Sequence, residues 1–456
     1  MGAVFLSSAV ILLLVALFIS TSFVLAVVGA LTFVLITFTA LYSLLHVTEL
    51  VSKDKRPPVD GLVLHLLVHF NRLFDYQTSL AKKHSTFRLI MPFRTEVFTA
   101  DPANVEHILR TNFPNYGRGS HSEILGDLFG DGIFAVDGEK WRHQRKLASY
   151  EFSTKNLREY STAVFRQTAT NLVSKVSIMA VAKHAMNLQD MFMKSTLDSI
   201  FKVGFGVELN TLSASDEFGN RFTKAFDDAN VIVFRRYVDV FWRVKRFLNI
   251  GLEAALKRNI KIIDDFIFEL IRCKREQMKN EKLVREKEDI LSRFLMESER
   301  DPVNMTDKYL RDIILSFIIA GKDTTANTLT WFFYLLCKHP LVQEKIAQEV
   351  TDATQAKDNI CPDEVSSLMT EEALERMQYL HAALTETLRL YPAVASAGPR
   401  ICVGKEFAYR QMKILAAVLL YLFQFRLVNE SKEATYQTMF TLHMAEGLKV
   451  YAFPRA

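Results

Sequence analysis

Met1 to Thr48 contains no Asp, Glu, Lys or Arg, and this is the feature that most limits what the chain can become. A helix of about 20 apolar residues crosses a bilayer core, so a stretch roughly twice that length belongs in a membrane. One span with an interfacial segment and a hairpin of two spans are both open. The run has no basic start and is too long for a cleaved signal peptide. Lys53, Lys55 and Arg56 come directly after it and place everything downstream on the cytosolic side, and Pro57-Pro58 makes a stiff, non-helical exit. The organisation expected is a membrane anchor over residues 1–50, a basic, proline-containing hinge over 51–60 and one cytosolic domain over 61–456.

That domain is large enough to bury a substantial core, since 49% of the 456 residues are hydrophobic. The four cysteines, Cys273, Cys337, Cys361 and Cys402, lack paired spacing, which argues against a disulfide framework and against a zinc cluster. The net charge of +5 is small for this size, and no clustered basic helix points to nucleic acid as a partner. The pattern is mainly helical, with strand-like pieces at Thr86 to Met91, Glu96 to Thr99, Phe423 to Val428 and Leu448 to Phe453. These come from opposite ends of the domain and predict a small sheet beside a helical body: a mainly α fold with a small β region. The charge-dense stretch from Arg272 to Asp289 reads as a helix end and solvated connector.

Four motifs interrupt this plain pattern. Gly398-Pro399-Arg400-Ile401-Cys402-Val403-Gly404 sets one thiol at the start of an apolar helix, where free N–H groups, the helix dipole and Arg400 favour a thiolate able to hold a metal. A single long helix is predicted from the cap Thr306 to Lys338, just before Pro340. Its buried middle carries Gly321, Asp323, Thr324 and Thr325, which reads either as a helix kink with locally satisfied hydroxyls or as an acid and an alcohol placed to relay protons beside a groove. Lys322, inside that motif, is tolerable if its stem extends away from the groove. A further helix, Glu372 to Leu390, aligns Met377, Leu380, Leu384, Leu388 and Tyr391 on one stripe and sets Glu386 beside Arg389 on the other, a spacing that by itself reads as a surface ion pair. Trp141-Arg142-His143-Gln144-Arg145 puts Trp141 and Arg145 one turn apart, where they could bind an anion from one helix face, although by itself the motif reads as an amphipathic surface helix with a half-buried tryptophan.

In this order the four stretches resemble the cytochromes P450, over about Val51 to the C-terminus. Asp101-Pro102-Ala103-Asn104-Val105, Phe129-Gly130-Asp131-Gly132-Ile133-Phe134 and Tyr150-Glu151-Phe152-Ser153 look most like the plant microsomal long-chain fatty-acid (omega-)hydroxylases. The resemblance implies a cytochrome P450-like fold with Cys402 as the proximal thiolate of haem b iron, which favours O–O cleavage. It implies that Trp141, Arg145 and Arg400 bind the haem, that Gly321 leaves room above the iron, and that Asp323 and Thr324 deliver protons. Glu386 and Arg389 would brace the core behind the cysteine loop. The activity implied is hydroxylation of a long-chain fatty acid or similar aliphatic substrate at the endoplasmic reticulum membrane, with electrons passing from NADPH through NADPH-cytochrome P450 reductase.

The chain departs from that family in one place. Between Arg389 and Cys402 stand only 12 residues, Leu390 to Ile401, where the family carries several dozen. Strands lining the pocket are missing, as is the arginine that completes the Glu386–Arg389 network, and Ala395 stands where the family has the phenylalanine that opens the haem loop. The break falls near residues 394–396, leaving the β region incomplete. The short link spans at most about 45 Å, so distance alone permits Cys402 to reach an iron. Unpaired strands and a broken charge network argue instead for poor haem binding. Two readings are open: a membrane-bound monooxygenase represented by a shortened chain, or a catalytically inactive P450-like membrane protein.

Overall fold

The computed structural model describes residues 56–91, 94–213, 217–280, 289–355, 362–394 and 400–455, with a few positions between 25 and 43. Most of the expected anchor, Lys53 and Lys55 of the hinge, and Ala395, Gly398 and Pro399 at the junction lie outside the described residues. Among the described residues no helix is long and apolar enough to cross a membrane. The chain divides into two units, Met1–Pro58 and Val59–Ala456, and all four motifs belong to the second.

This second unit is mainly helical. The helices that position the motifs are α1 (Gly138–Ser153), α2 (Lys155–Val181), α3 (Leu188–Phe205), α4 (Glu217–Arg235), α5 (Asp307–Gly321), α6 (Asp323–Lys338), α7 (Gln378–Leu390) and α8 (Lys405–Leu422). At the centre α2, α3, α6 and α8 pack on one another. Each is apolar on more than one face, as a helix surrounded by others must be. Phe165, Leu172 and Val176 of α2, Phe192 and Phe201 of α3, Leu329 and Phe333 of α6, and Ile414 to Leu420 of α8 are all buried in one core. Burial of a side chain of this size contributes about 1.5–3 kcal/mol, so this bundle is the main source of stability.

The strands occur where the alternation predicts them, but not in one sheet. β1 (Val59–Leu62), β2 (Thr86–Met91) and β3 (Arg94–Thr99) form one three-stranded sheet in the order β1-β2-β3. β4 (Met186–Asn187), β8 (Lys449–Pro454) and β5 (Phe423–Leu427) form another in the order β4-β8-β5, and β6 (Tyr436–Gln437) pairs with β7 (His443–Met444). The expectation of a sheet shared by the two chain ends is therefore corrected. Both edges of β2 are taken by β1 and β3, and both edges of β8 by β4 and β5, so neither central strand has an edge left for the other end.

Two helices expected to be continuous are divided. Thr306 caps α5 through its hydroxyl on the Tyr309 N–H at 3.3 Å, and α6 ends at Lys338 as expected, but the ladder is interrupted at Lys322. The physical cause is local: the Thr196 hydroxyl donates to the Lys322 carbonyl at 3.0 Å, and Thr324 donates back to the Ala320 carbonyl at 2.6 Å. Side chains that enter the ladder in this way bend helices. The second helix breaks at Met377 into Glu371–Arg376 and α7, with the Glu349 carboxylate accepting from the Tyr379 and Leu380 N–H groups at the new N-terminus. Beyond α7 the Tyr391 ring lies flat on Trp331, centroids 4.2 Å apart, and the Ala393 carbonyl accepts from the Leu442 N–H.

Candidate functional site

Cys402 lies two residues before Gly404, the N-cap of α8. A Cβ on Gly404 would stand 3.6 Å from the Phe152 ring and 3.9 Å from the cysteine sulfur, so glycine lets the loop lie close to α1. The residue is exposed, yet the protein packed around it raises the thiol pKa. The Gly404 N–H and the positive charge of Arg145 act in the opposite direction without overcoming that burial. This corrects the expectation of a ready thiolate supported by Arg400: the cation that bears on the sulfur belongs to α1, and a thiolate here needs a further positive partner, such as a metal.

Arg400 has another role. Its guanidinium pairs with the Asp137 carboxylate, lies 4.7 Å from the Trp141 ring centroid and 5.6 Å from that of Phe113. Trp141 is buried, and Arg145 stands 5.6 Å from its ring on the same face of α1. The structure thus brings Trp141, Arg145, Arg400 and Cys402 together from two motifs far apart in sequence.

Arg118 joins them, a residue that the sequence motifs do not single out. Its backbone N–H donates to Asp137 at 2.5 Å, while its side-chain Nε is buried without a partner. Burial, then the charge of Arg400, lowers its pKa, and burial likewise lowers that of Arg145 with Arg400 adding to the effect. Three guanidinium groups whose charges disfavour one another in one cluster are suited to an anionic ligand. The one sequence signal was the Gly117-Arg118-Gly119 triplet, whose last glycine has φ +54°.

The residues on α5 and α6 are arranged differently. A Cβ on Gly321 would lie 2.8 Å from Ile200 side-chain atoms, so this glycine accommodates α3. Thr324 is partly exposed, and its hydroxyl donates to the Ala320 carbonyl. Asp323 is 2% exposed and accepts from Lys322 Nζ at 2.9 Å and from the Asn230 amide at 3.2 Å. Lys322 is itself 2% exposed and also donates to Asp227 at 2.6 Å, so its stem stays in the interior. Burial opposes its charge, but Asp227 and then Asp323 outweigh burial and raise its pKa. Concavities of about 410 Å³ open beside Lys345, Glu349, Arg376 and Tyr379 and beside Lys155, Arg158, Arg166 and Glu371; neither is lined by Cys402, Asp323 or Thr324.

Glu386 and Arg389 form a bidentate pair on the outside of α7, with side chains 52% and 67% exposed. It is the solvated pair that spacing alone indicates.

The family model described as Cytochrome P450 matches residues 55–395 and 396–449, two stretches that abut at 395/396. Cytochrome P450 704C1 of Pinus taeda is 42% identical over 483 residues, covering 88% of this chain and 93% of the relative. Cytochrome P450 704B1 of Arabidopsis thaliana is 36% identical over 495 residues, with 88% and 94% covered, and Cytochrome P450 94A2 of Vicia sativa is 32% identical over 482, with 87% and 90% covered. Each aligned span exceeds the 456 residues of this chain, so each relative carries residues that have no counterpart here.

Proposed function

We propose, from the premise that this chain belongs to the cytochrome P450 family of monooxygenases, that its substrate is a long-chain fatty acid or a similar aliphatic chain. Electrons would come from NADPH by way of a reductase at the endoplasmic reticulum membrane. The uncharged segment from Met1 to Thr48 supports that location, and the plant relatives support the broader assignment.

The observation that carries the reading is the meeting of Trp141, Arg145 and Arg400 with the Cys402 sulfur. The residues present fit haem b. The thiol is accessible, three guanidinium groups gather in one cluster, and the buried Arg118 Nε has a donor to spare. Cys402 would ligate the iron and Arg145 and Arg400 would hold the carboxylate ends. When bound, the group supplies insertion of one oxygen atom from O2 into an unactivated C–H bond. The chain's own part is to hold those anionic ends, to donate the Gly404 N–H toward the sulfur, and to keep Asp323 and Thr324 at the kink between α5 and α6 for proton delivery.

The break at 395/396 and the exposed Glu386–Arg389 pair support a second element of the proposal: this chain retains haem weakly and turns over slowly. The same break favours the non-catalytic reading for this form. The test is a reduced-CO difference spectrum of the full chain beside a chain with the relatives' intervening segment inserted after Val394. A thiolate-type Soret band is expected in the lengthened chain and little or none in this one. A full band in this chain overturns weak retention. Absence of a Cys402-dependent band in the lengthened chain overturns the haem-thiolate reading, and absence of hydroxylated product from long-chain fatty acids overturns the substrate.

A further inference from the structure

The turn Gly130-Asp131-Gly132 lies against one short piece of α5, from Arg311 to Ser316. The Asp312 carboxylate accepts the Asp131 N–H at 2.8 Å and, through its other oxygen, the Arg311 guanidinium at 2.8 Å. Arg311 also donates to the Leu128 carbonyl at 2.7 Å and to Asp264 at 2.8 Å, so it closes the end of the helix Ser120–Phe129 that leads into the turn. Arg311 and Asp312 are both buried, and buried groups engaged this closely are costly to separate.

Both glycines are required by that fit. A Cβ on Gly130, whose φ is +50°, would overlap the Asp312 carboxylate, and one on Gly132 would overlap the Ser316 hydroxyl. The turn passes the contact on to α1. The buried Gln144 amide donates to the Asp131 carbonyl at 2.7 Å and also hydrogen-bonds the Tyr309 hydroxyl on α5. Gln144 shares one turn of α1 with Trp141 and Arg145. Asp131 is thus held through its backbone, the N–H to α5 and the carbonyl to α1, while its side chain pairs with Lys140 at the surface.

We propose that Asp312 and Gln144 are positioning residues that work as one bracket across Asp131, fixing the Trp141 and Arg145 face of α1 against α5. Because α5 leads straight into Gly321, Asp323 and Thr324, the charged half of the site and the half assigned to proton delivery are then set from one helix rather than docked separately. That purpose rests on the haem reading, but the bracket itself is a property of the folded chain.

The test uses the full chain without haem, so a failure of the monooxygenase reading stays distinguishable from a failure of the bracket. Amide hydrogen exchange is followed across α1, and hydroxyl-radical oxidation of Trp141 is read by peptide mass spectrometry, with Trp331 as the internal reference. Gln144→Leu, which removes the amide and keeps the volume, is expected to raise both readouts about fivefold while the turn at 129–134, α2 and α8 stay protected. Asp312→Asn, which exchanges one acceptor oxygen for a donor, is expected to raise both about as much and to release the turn as well. The double variant should lie within about twofold of the larger single effect, because both changes act through Asp131. Gln144→His, which keeps an N–H donor at similar reach, is expected to stay near the parent. Parent-like α1 exchange and Trp141 oxidation in either single variant overturn the proposal, as do single effects that multiply in the double variant. Oxidation in Gln144→His equal to that in Gln144→Leu overturns it too, and so does loss of α2 protection in any variant, because these residues would then support the whole fold.

Discussion

The Arg400 guanidinium lies 4.7 Å from the ring centroid of Trp141, joining the cysteine loop to the helix of the Trp141–Arg145 motif. Its ion pair with Asp137 fixes the approach, and Asp137 also accepts the Arg118 backbone N–H. A loop, a helix start and the cysteine segment are thereby gathered at one place.

Arg400→Met removes the ion pair and leaves an apolar stem over Trp141. Because both partners are partly exposed, the expected loss of stability is only about 1 kcal/mol. Haem affinity in the lengthened chain should fall at least tenfold. Denaturant unfolding and haem titration at the Soret band measure the two effects separately, and equal affinity for both proteins would remove Arg400 from the site.

Gly321→Ala places a methyl 2.8 Å from Ile200. Alanine gains about 1 kcal/mol in helix propensity, but overpacking costs about 1–3, so a net destabilisation is expected. The double variant Gly321→Ala with Ile200→Ala should recover stability relative to Ile200→Ala alone, because the new methyl then fills space. A double-mutant cycle in urea decides it.

His443 faces Lys322 and Asp227 and accepts the Gln189 amide at 2.6 Å through Nε2. Burial, then the positive charge of Lys322, pushes its pKa down to about 4 from 6.5, against a smaller opposing effect of Asp227. The folded state therefore holds a neutral imidazole where the unfolded chain binds a proton. Its contribution is complete above pH 6.5 and is lost as the pH falls toward about 4, on the order of 3 kcal/mol in all. His443→Gln should flatten the dependence of the unfolding midpoint across that window; an unchanged slope would assign it to other groups.

Arg389→Ala should leave the unfolding midpoint of this chain where it is, because the Glu386–Arg389 pair is solvated. The same substitution in the lengthened chain should markedly lower the midpoint if the inserted segment buries the pair. Comparing the two midpoints isolates what that segment does to these residues.

Much of the fold was legible because its signals are local. Thr306 caps the helix that the apolar run from Ile313 to Ala320 requires, and Met377, Leu380 and Leu384 form the buried stripe that their spacing indicates. The strands at Thr86 and Phe423 were equally readable, but not their partners, since alternation specifies which face is buried and leaves the neighbouring strand open. The kink at Lys322 was one of the two readings its motif allowed, but the break at Met377 was hidden because Glu349, which occupies the helix end there, lies far away in sequence.

By itself the sequence determined the uncharged N-terminal segment, the order of the four motifs, the family to which they point and the place where that family's continuity breaks. Each is written in neighbouring residues or in helical spacing. Only the tertiary structure decided that Arg118 joins Arg145 and Arg400, that the Cys402 thiol is pushed up, that Glu386 and Arg389 stay in water, and that Lys322 is buried between Asp227 and Asp323. The reason is that a charge acquires its role from whatever opposes it and from how much water remains around it, and both are set by packing between distant segments.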